Sequence, residues 1–336
     1  MITAFLLTVL ILAAVFAFLN GFRDVSSAVA VAVRTRSLTP SIAVVLAAFF
    51  NLIGALLSGA FAVALGGRLF RVPPGREGLG LLLAGLAAAC VWGIYQWRRG
   101  YPSSSTHALI GGLGGASVAS VMVGREPLQG LDVTILTLVV LPLLLSPVIA
   151  FALSFVMVYP AVWASRHTQP SLVNTRVRRV QAVATAAVAF GHGLQDGQRT
   201  TTVLLFALAA AGLGGTGTVP VWVLAFSAVL LAAGTLAGGW RISHTLGSRL
   251  TRIDPMRALV AQLVSAVLLF VGAIGLHLPL STTHTVTSAI IGAGRNQRFS
   301  VTNGRLWLQI LTAWVATPLA AAVLGGIFFL AVSALL

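Results

Sequence analysis

Two aspartates and two hydroxyl-rich runs ending in histidine are the residues of this chain best placed to do chemistry together. In the first copy, Gly21-Phe22-Arg23-Asp24 is followed by Pro102-Ser103-Ser104-Ser105-Thr106-His107, with 83 residues from Asp to His. In the second, Gly193-Leu194-Gln195-Asp196 is followed by Pro279-Leu280-Ser281-Thr282-Thr283-His284, with 88 residues between the same pair. The copies are offset by 172 residues at the aspartates and 177 at the histidines, about half of the 336-residue chain. A polar constellation repeated inside an otherwise apolar protein points to a two-fold-related binding site at mid-membrane, and so to a transporter.

Proline followed by Ser and Thr is a helix N-terminal signature. Hydroxyls combined with the free N–H groups of such a terminus suit a tetrahedral oxyanion. Two termini facing each other would enclose one anion from opposite sides. Single Ser or Thr residues are common interhelical donors in membranes; two runs after proline at matching positions ask for more than packing. A carboxylate at the centre of a membrane helix costs roughly 2.5–3.5 kcal/mol even on a lenient insertion scale. Asp24 and Asp196 therefore coordinate a cation, take a proton or pair with an arginine, with Asp24–Arg34 and Asp196–Arg199 as the candidate ion pairs. A cation or proton beside the carboxylates removes their repulsion for an anion, which links the two binding events and favours symport over a pore. His107 and His284 either donate to the anion or carry a proton, or else fix the hairpins through a backbone hydrogen bond. His192 has Asn20 at its matching position and is expected only to support its neighbours.

The elements that position these residues follow from composition. Apolar residues make up 58% of the chain and charged ones 8%, with a mean hydropathy of +0.99, so the solvent is lipid. The apolar runs are continuous rather than alternating, which excludes a β-barrel. We expect an all-α, polytopic membrane protein with about 10–12 helical segments. The segments are 2–19, 41–65, 78–97, 104–123, 131–159, 180–211, 219–238, 258–276, 281–294 and 305–335. Residues 20–33 and 191–202 place Gly, Arg, Asp, Ser and Gln at membrane depth, so broken helices or re-entrant hairpins are expected there. Residues 1–160 form a first membrane repeat, 161–179 a basic cytoplasmic linker and 180–336 a second repeat. Residues 1–20 read as a first span, not a cleaved signal.

All 21 basic residues are arginine, and the formal charge is +15. In a soluble protein this would suggest nucleic acid; here most arginines fall between apolar runs and read as topogenic charge and headgroup contacts, with no nucleic-acid partner. The densest groups are Arg166, Arg176, Arg178 and Arg179, then Arg241, Arg249, Arg252 and Arg257, both placed on the cytoplasmic side of a cell membrane. The remaining acids, Glu77, Glu126, Asp132 and Asp254, sit in or near loops. Cys90 is the single cysteine, so no disulfide or thiolate metal site forms within the chain. Glycine-rich faces such as Gly111-Gly112-Leu113-Gly114-Gly115 allow close helix contact, within one chain or in a homo-oligomer.

At these motifs the chain resembles the inorganic phosphate transporter (PiT) family. The resemblance runs through Gly21 to Pro40, Pro102 to Gly115, Arg178 to Thr202, Gly234 to Arg249 and Leu278 to Gly294. Gly234-Thr235-Leu236-Ala237-Gly238-Gly239-Trp240-Arg241 and Ser281-Thr282-Thr283-His284-Thr285 are its most typical segments. The resemblance implies an inverted-repeat carrier moving phosphate with Na⁺ or H⁺ between its halves by alternating access. It implies anion contacts from Ser104, Ser105, Thr106, Ser281, Thr282 and Thr283, with Arg23, Gln198 and Thr200 beside them. For the coupling cation it implies Asp24, Asp196, Asn51, Ser27 and Gln195. Several positions depart from the family pattern. Arg23 and Gln195 stand where Asn usually precedes each Asp, and Ser27 replaces a second Asn. Arg199 replaces Lys, and Gln262 replaces a membrane-embedded Glu. Fewer oxygen ligands remain for Na⁺, which moves the expectation toward H⁺ or an altered site, while Arg23 gains a guanidinium that could meet the anion or Asp24.

The expected function is cation-coupled transport of inorganic phosphate, with sulfate transport through the same site, or a transport-inactive homologue, as alternatives. No cofactor or metal beyond the coupling ion is expected. An intramembrane hydrolase is disfavoured: its parts would occur twice with no unique nucleophile, and neither a Gly-x-Ser-x-Gly elbow nor a His-Glu-x-x-His motif is present.

Overall fold

A computed structural model describes residues 2–66, 71–130, 136–214, 218–276, 278–297 and 302–336. The first half contains α1 (Ile2–Arg34), α2 (Pro40–Leu56), α3 (Gly59–Gly66), α4 (Gly75–Arg99), α5 (Ser105–Met122) and α6 (Leu141–Ser165), the last entered through a π turn at Leu136–Val140. The second contains α7 (Pro170–Ala210), α8 (Val221–Ala237), α9 (Trp240–His244), α10 (Pro255–Phe270), α11 (Thr282–Arg295) and α12 (Gly304–Ser333). Helices α9 and α10 run on into π turns at Thr245–Arg249 and Val271–Gly275. The two halves thus repeat one order of elements, and the fold is all-α. Asp132 and residues 131–135 of the expected fifth segment lie outside the described residues.

Side-chain caps set several of the helix starts. Thr39 and Asp254 each accept the N–H three residues on and are followed by Pro40 and Pro255, whose fixed φ suits a first turn. Ser104 and Ser281 cap α5 and α11 by accepting the backbone N–H of His107 and His284 at 3.3 and 3.2 Å. The same serines that suggested an anion site therefore also start its two helices. Gly100, at φ 73°, ends α4 in a left-handed cap that residues with a Cβ rarely adopt.

Helices α1, α4, α6 and α12, and α10 with its π turn, are long and apolar enough to cross a membrane. Helices α8 and α9, bent by 58° to each other, pass that test as a pair. The breaks are not at 20–33 or 191–202 as expected: α1 and α7 run through both segments uninterrupted. The reason is burial. From Asn20 to Ala32 and from Gly191 to Leu204 nearly every residue is enclosed by protein, so the polar side chains meet other helices, and the backbone keeps its own hydrogen bonds. The interruptions lie instead between α2 and α3, between α8 and α9, and at the α4–α5 and α10–α11 connections that carry the hydroxyl runs. Helix α7 has 41 residues, about 60 Å of helix, roughly twice the hydrocarbon thickness. Its surplus accounts for the stretch read as a linker. Residues 161–165 end α6 and 170–179 begin α7, leaving only a short turn between them. Exposed Arg176, Arg178 and Arg179 stand on the first turns of α7.

Partners are exchanged between the halves. Helix α5 lies along α12 and α11 along α6, while α2 packs on α7 and α8 on α1. Glycines permit the closest of these crossings. A Cβ on Gly21 would overlap the Leu231 carbonyl of α8, and one on Gly234 the Phe18 carbonyl of α1. The equivalent pair is Gly193 of α7 and Gly54 of α2, which meet the carbonyls of Asn51 and Phe190. Of the Gly111–Gly115 face, Gly111 and Gly115 press on Pro318 and Ala322 of α12, so this surface is consumed within the chain. A side chain at these crossings forces the helices apart, at a cost of about 1–3 kcal/mol or more. Gly21→Leu or Gly193→Leu should therefore abolish the monodisperse peak in detergent size-exclusion chromatography. Gly114→Ala, whose Cβ enters open space, should elute like the parent.

Candidate anion and cation site between the halves

The middle of the molecule is built from α1, α7, the tip of α2 and the starts of α5 and α11. Asp24 and Asp196 are both buried and converge on one side chain, His192. Its Nε2 lies 3.4 Å from Asp196 Oδ2 and 4.0 Å from Asp24 Oδ2. The three residues can offer ligand atoms that all lie within 4.8 Å of one another. Its other nitrogen, Nδ1, is 3.0 Å from Asn51 Oδ1. Asn51 Nδ2 in turn donates to Thr235 Oγ1 at 2.8 Å, and Thr235 Oγ1 donates to the Leu231 carbonyl at 2.9 Å. With its hydroxyl proton committed, Thr235 can only accept from Asn51, so Asn51 Oδ1 faces the ring as an acceptor. His192 therefore carries its proton on Nδ1. In the neutral ring, Nε2 then presents a lone pair to two carboxylates. Three acceptors facing one another in a buried space call for a proton or a cation among them.

Each carboxylate is also tied to the opposite half, Asp24 directly and Asp196 through Arg199. Thr283 Oγ1, on the first turn of α11, donates to Asp24 Oδ1 at 3.2 Å. Arg199 of α7 donates to Ser105 Oγ at 2.9 Å and to Thr106 Oγ1, both at the start of α5, and pairs with Asp196 one turn earlier on its own helix. The expected Asp196–Arg199 pair thus forms. Asp24–Arg34 does not, because Arg34 is exposed at the far end of α1. Ser105 and Thr106 accept from Arg199, so their hydroxyl protons stay available to an anion at the α5 terminus.

Arg23, expected at the anion, and Gln195, expected at the cation, both bond to the hairpin backbones. Arg23 donates to the Ser103 carbonyl at 2.9 Å and to Ser103 Oγ at 3.2 Å. Gln195 Nε2 donates to the Leu278 carbonyl at 3.3 Å, and the Leu280 N–H donates to Gln195 Oε1 at 3.2 Å. Each residue braces the hairpin of its own half. Successive residues on a helix point about 100° apart, so the residue before each Asp cannot share its direction. Asn51 likewise touches neither Asp and acts through His192. Ser27, Gln198 and Thr200 are buried on α1 and α7 around the aspartates, and Ser104, Ser281 and Thr282 are buried at the two helix starts. Thr282 Oγ1 has no hydrogen-bond partner among the described residues.

His107 and His284 bring those starts together. Their ring centroids are 4.7 Å apart, and His284 stacks on Trp314 at 4.0 Å. Trp314 Nε1 donates to the Pro102 carbonyl at 2.8 Å, tying α12 to the first hairpin. The hydroxyl runs of both halves therefore meet at one place. His192 is the residue that sequence reasoning undervalued, because equivalence between the halves pairs it with Asn20. Its i,i+4 spacing from Asp196 was the available signal, since it places both on one helix face. Gln262 donates to the Ala28 carbonyl and to Thr185, at 2.8 and 3.0 Å, and fastens α10 to α1 and α7.

Comparison with known proteins gives the family and the fold. The Phosphate transporter family matches residues 20–325. A probable low-affinity inorganic phosphate transporter of Rhizobium meliloti (strain 1021) is 39% identical over 318 residues, covering 94% of this chain and 93% of the relative. One from Bacillus subtilis (strain 168) is 34% identical over 327 residues, covering 96% of each. The solved sodium-dependent phosphate transporter superposes with a TM-score of 0.84 at 22% identity, covering 99% of this chain and all of that one, and so shares the fold. The chain belongs to the Phosphate transporter family.

Proposed function

We propose that this chain carries inorganic phosphate across the cell membrane by alternating access, and that a proton is the coupled cation. The family and the names of the relatives support phosphate as the substrate. The observation that carries the choice of cation is His192 Nε2 facing both Asp24 and Asp196. A nitrogen ligand and the Arg199 guanidinium take positions where Na⁺ would want oxygen. A proton shared among Nε2 and the two carboxylates needs no such ligand shell.

Coupling follows from Arg199. Without substrate it is divided between Asp196 and the hydroxyls of Ser105 and Thr106. A phosphate at the α5 and α11 termini draws the guanidinium toward itself, and Asp196 loses part of its counter-charge. The carboxylate–histidine cluster then holds a proton more tightly, and by linkage the proton tightens phosphate binding to the same degree. Ser105, Thr106, Ser281 and Thr282 supply hydroxyl donors to the anion, and the N–H groups at the two helix starts add to them, while the Thr283 hydroxyl stays on Asp24.

In proteoliposomes without Na⁺, an inward proton gradient should drive accumulation of labelled phosphate, and an Na⁺ gradient alone should not. Accumulation driven only by Na⁺ would reverse the cation assignment; uptake of sulfate but not phosphate would reverse the substrate. Asp24→Asn should keep the fold, because a carboxamide oxygen can still accept from Thr283, yet lose gradient-driven uptake. Asp196→Asn should in addition lower stability by about 3–5 kcal/mol, since Arg199 is left buried without its partner. Adding Arg199→Gln should recover the melting temperature but not the transport. Parental uptake in both single variants would reduce these carboxylates to packing groups.

A further inference from the structure

Away from the transport site, where α1 ends, four arginines from three segments line a single cavity of about 410 Å³. They are Arg34 and Arg36 at and just after the end of α1, Arg178 on the first turns of α7, and Arg252 before α10. No acidic residue lines this cavity, and among the described residues none of the four has an ion pair. The neighbouring Asp254 is committed to Arg257 and to capping α10.

The turn that presents Arg36 is held in place. Thr35 and Ser37 both donate to Oε1 of Gln181, a fully buried residue of α7. Arg36 has φ 57°, the one positive value among described non-glycine residues. Four like charges gathered around this braced turn repel one another unless an anion sits among them. A second cavity of about 400 Å³ shares Arg34, Arg36 and Ser248 and continues along Ala30, Val33 and Trp240. Beside these apolar groups stand Ser243 and His244, and Trp240 is half exposed, as expected of an aromatic ring at the membrane–water boundary. Arg34 lies ten residues beyond Asp24, about 15 Å along α1, at the end of a membrane-crossing helix.

We propose that these joined cavities bind one acidic phospholipid, its phosphate among Arg34, Arg36, Arg178 and Arg252 and its glycerol and upper acyl chain along Val33 and Trp240. Free phosphate shares the headgroup chemistry, but it leaves the second cavity unused. Such a lipid clamps the end of α1 to α7 and α10 on the side where basic residues face an anionic leaflet.

The test uses delipidated full-length protein, with lipid retention followed by native mass spectrometry and by melting temperature. Phosphatidylglycerol should bind and raise the melting temperature, and phosphatidylcholine should not. Arg36→Gln with Arg252→Gln should weaken phosphatidylglycerol binding by about thirtyfold, the worth of two basic residues at an acidic surface. Arg176→Gln with Arg179→Gln, which removes the same charge outside the cavities, should leave it near the parental value. Equal loss in both double variants would replace a site with a general charge effect and overturn the proposal. Inorganic phosphate stabilising the parent but not the Arg36/Arg252 variant, with no gain from phosphatidylglycerol, would assign the cavity to a free anion and overturn the lipid. If the first double variant does not elute as folded protein, Arg34→Gln with Arg178→Gln decides on the same readouts.

Discussion

The structure depends on how two carboxylates are kept charged or neutralised in the middle of an apolar protein. Neither Asp24 nor Asp196 reaches solvent, so each needs donors supplied by protein, and each is tied to the other half directly or through its donor. Asp24 of α1 takes Thr283 of α11, and Asp196 of α7 takes Arg199, which is itself anchored on Ser105 and Thr106 of α5. Between them stands His192, whose tautomer is set by the relay through Asn51 and Thr235. A buried polar network of this kind holds its geometry only if its members stay satisfied. The unsatisfied part, Nε2 against two carboxylates, is where the proposed coupling proton would sit.

The exchange of partners between the halves makes such cross-bonding geometrically available. Because α5 lies along α12 and α11 along α6, each hydroxyl helix is embedded in the other half. The glycine crossings at Gly21–Gly234 and Gly54–Gly193 let the long central helices approach until backbone touches backbone. That closeness brings the Asp-bearing faces within reach of the opposing helix starts. The residues next to the aspartates then play a supporting part, because Arg23 and Gln195 hold the hairpin backbones at Ser103, Leu278 and Leu280. Chemistry and scaffolding are separated by a rotation of one residue along the same helix.

The charge arrangement also bears on how the substrate is received. Arg199 serves an internal carboxylate and two hydroxyls at once, so an arriving anion enters a site that already holds a positive group. Under the proposed function, competition for that guanidinium would connect the anion to the protonation of Asp196 and His192.

The duplicated Asp and hydroxyl–His motifs were legible in the chain because membrane burial makes an isolated charge costly, so one that recurs at a half-chain offset marks function. The apolar runs likewise specified an all-helical membrane fold, and Pro-Ser-Thr patterns marked the starts of α5 and α11, since capping chemistry is local. Sequence could not show that α1 and α7 continue unbroken through their polar stretches. That depended on enclosure by neighbouring helices, which removes the need for the backbone to meet water or a cavity. Nor could it separate Arg23 and Gln195 from the site, or bring His192 into it. Those roles follow from side-chain direction and from the partner that tertiary packing sets opposite. Residue type and spacing thus determined which groups must be answered by opposite charge or a donor; only the folded arrangement decided which group answers which, because contacts between halves join residues far apart in the chain.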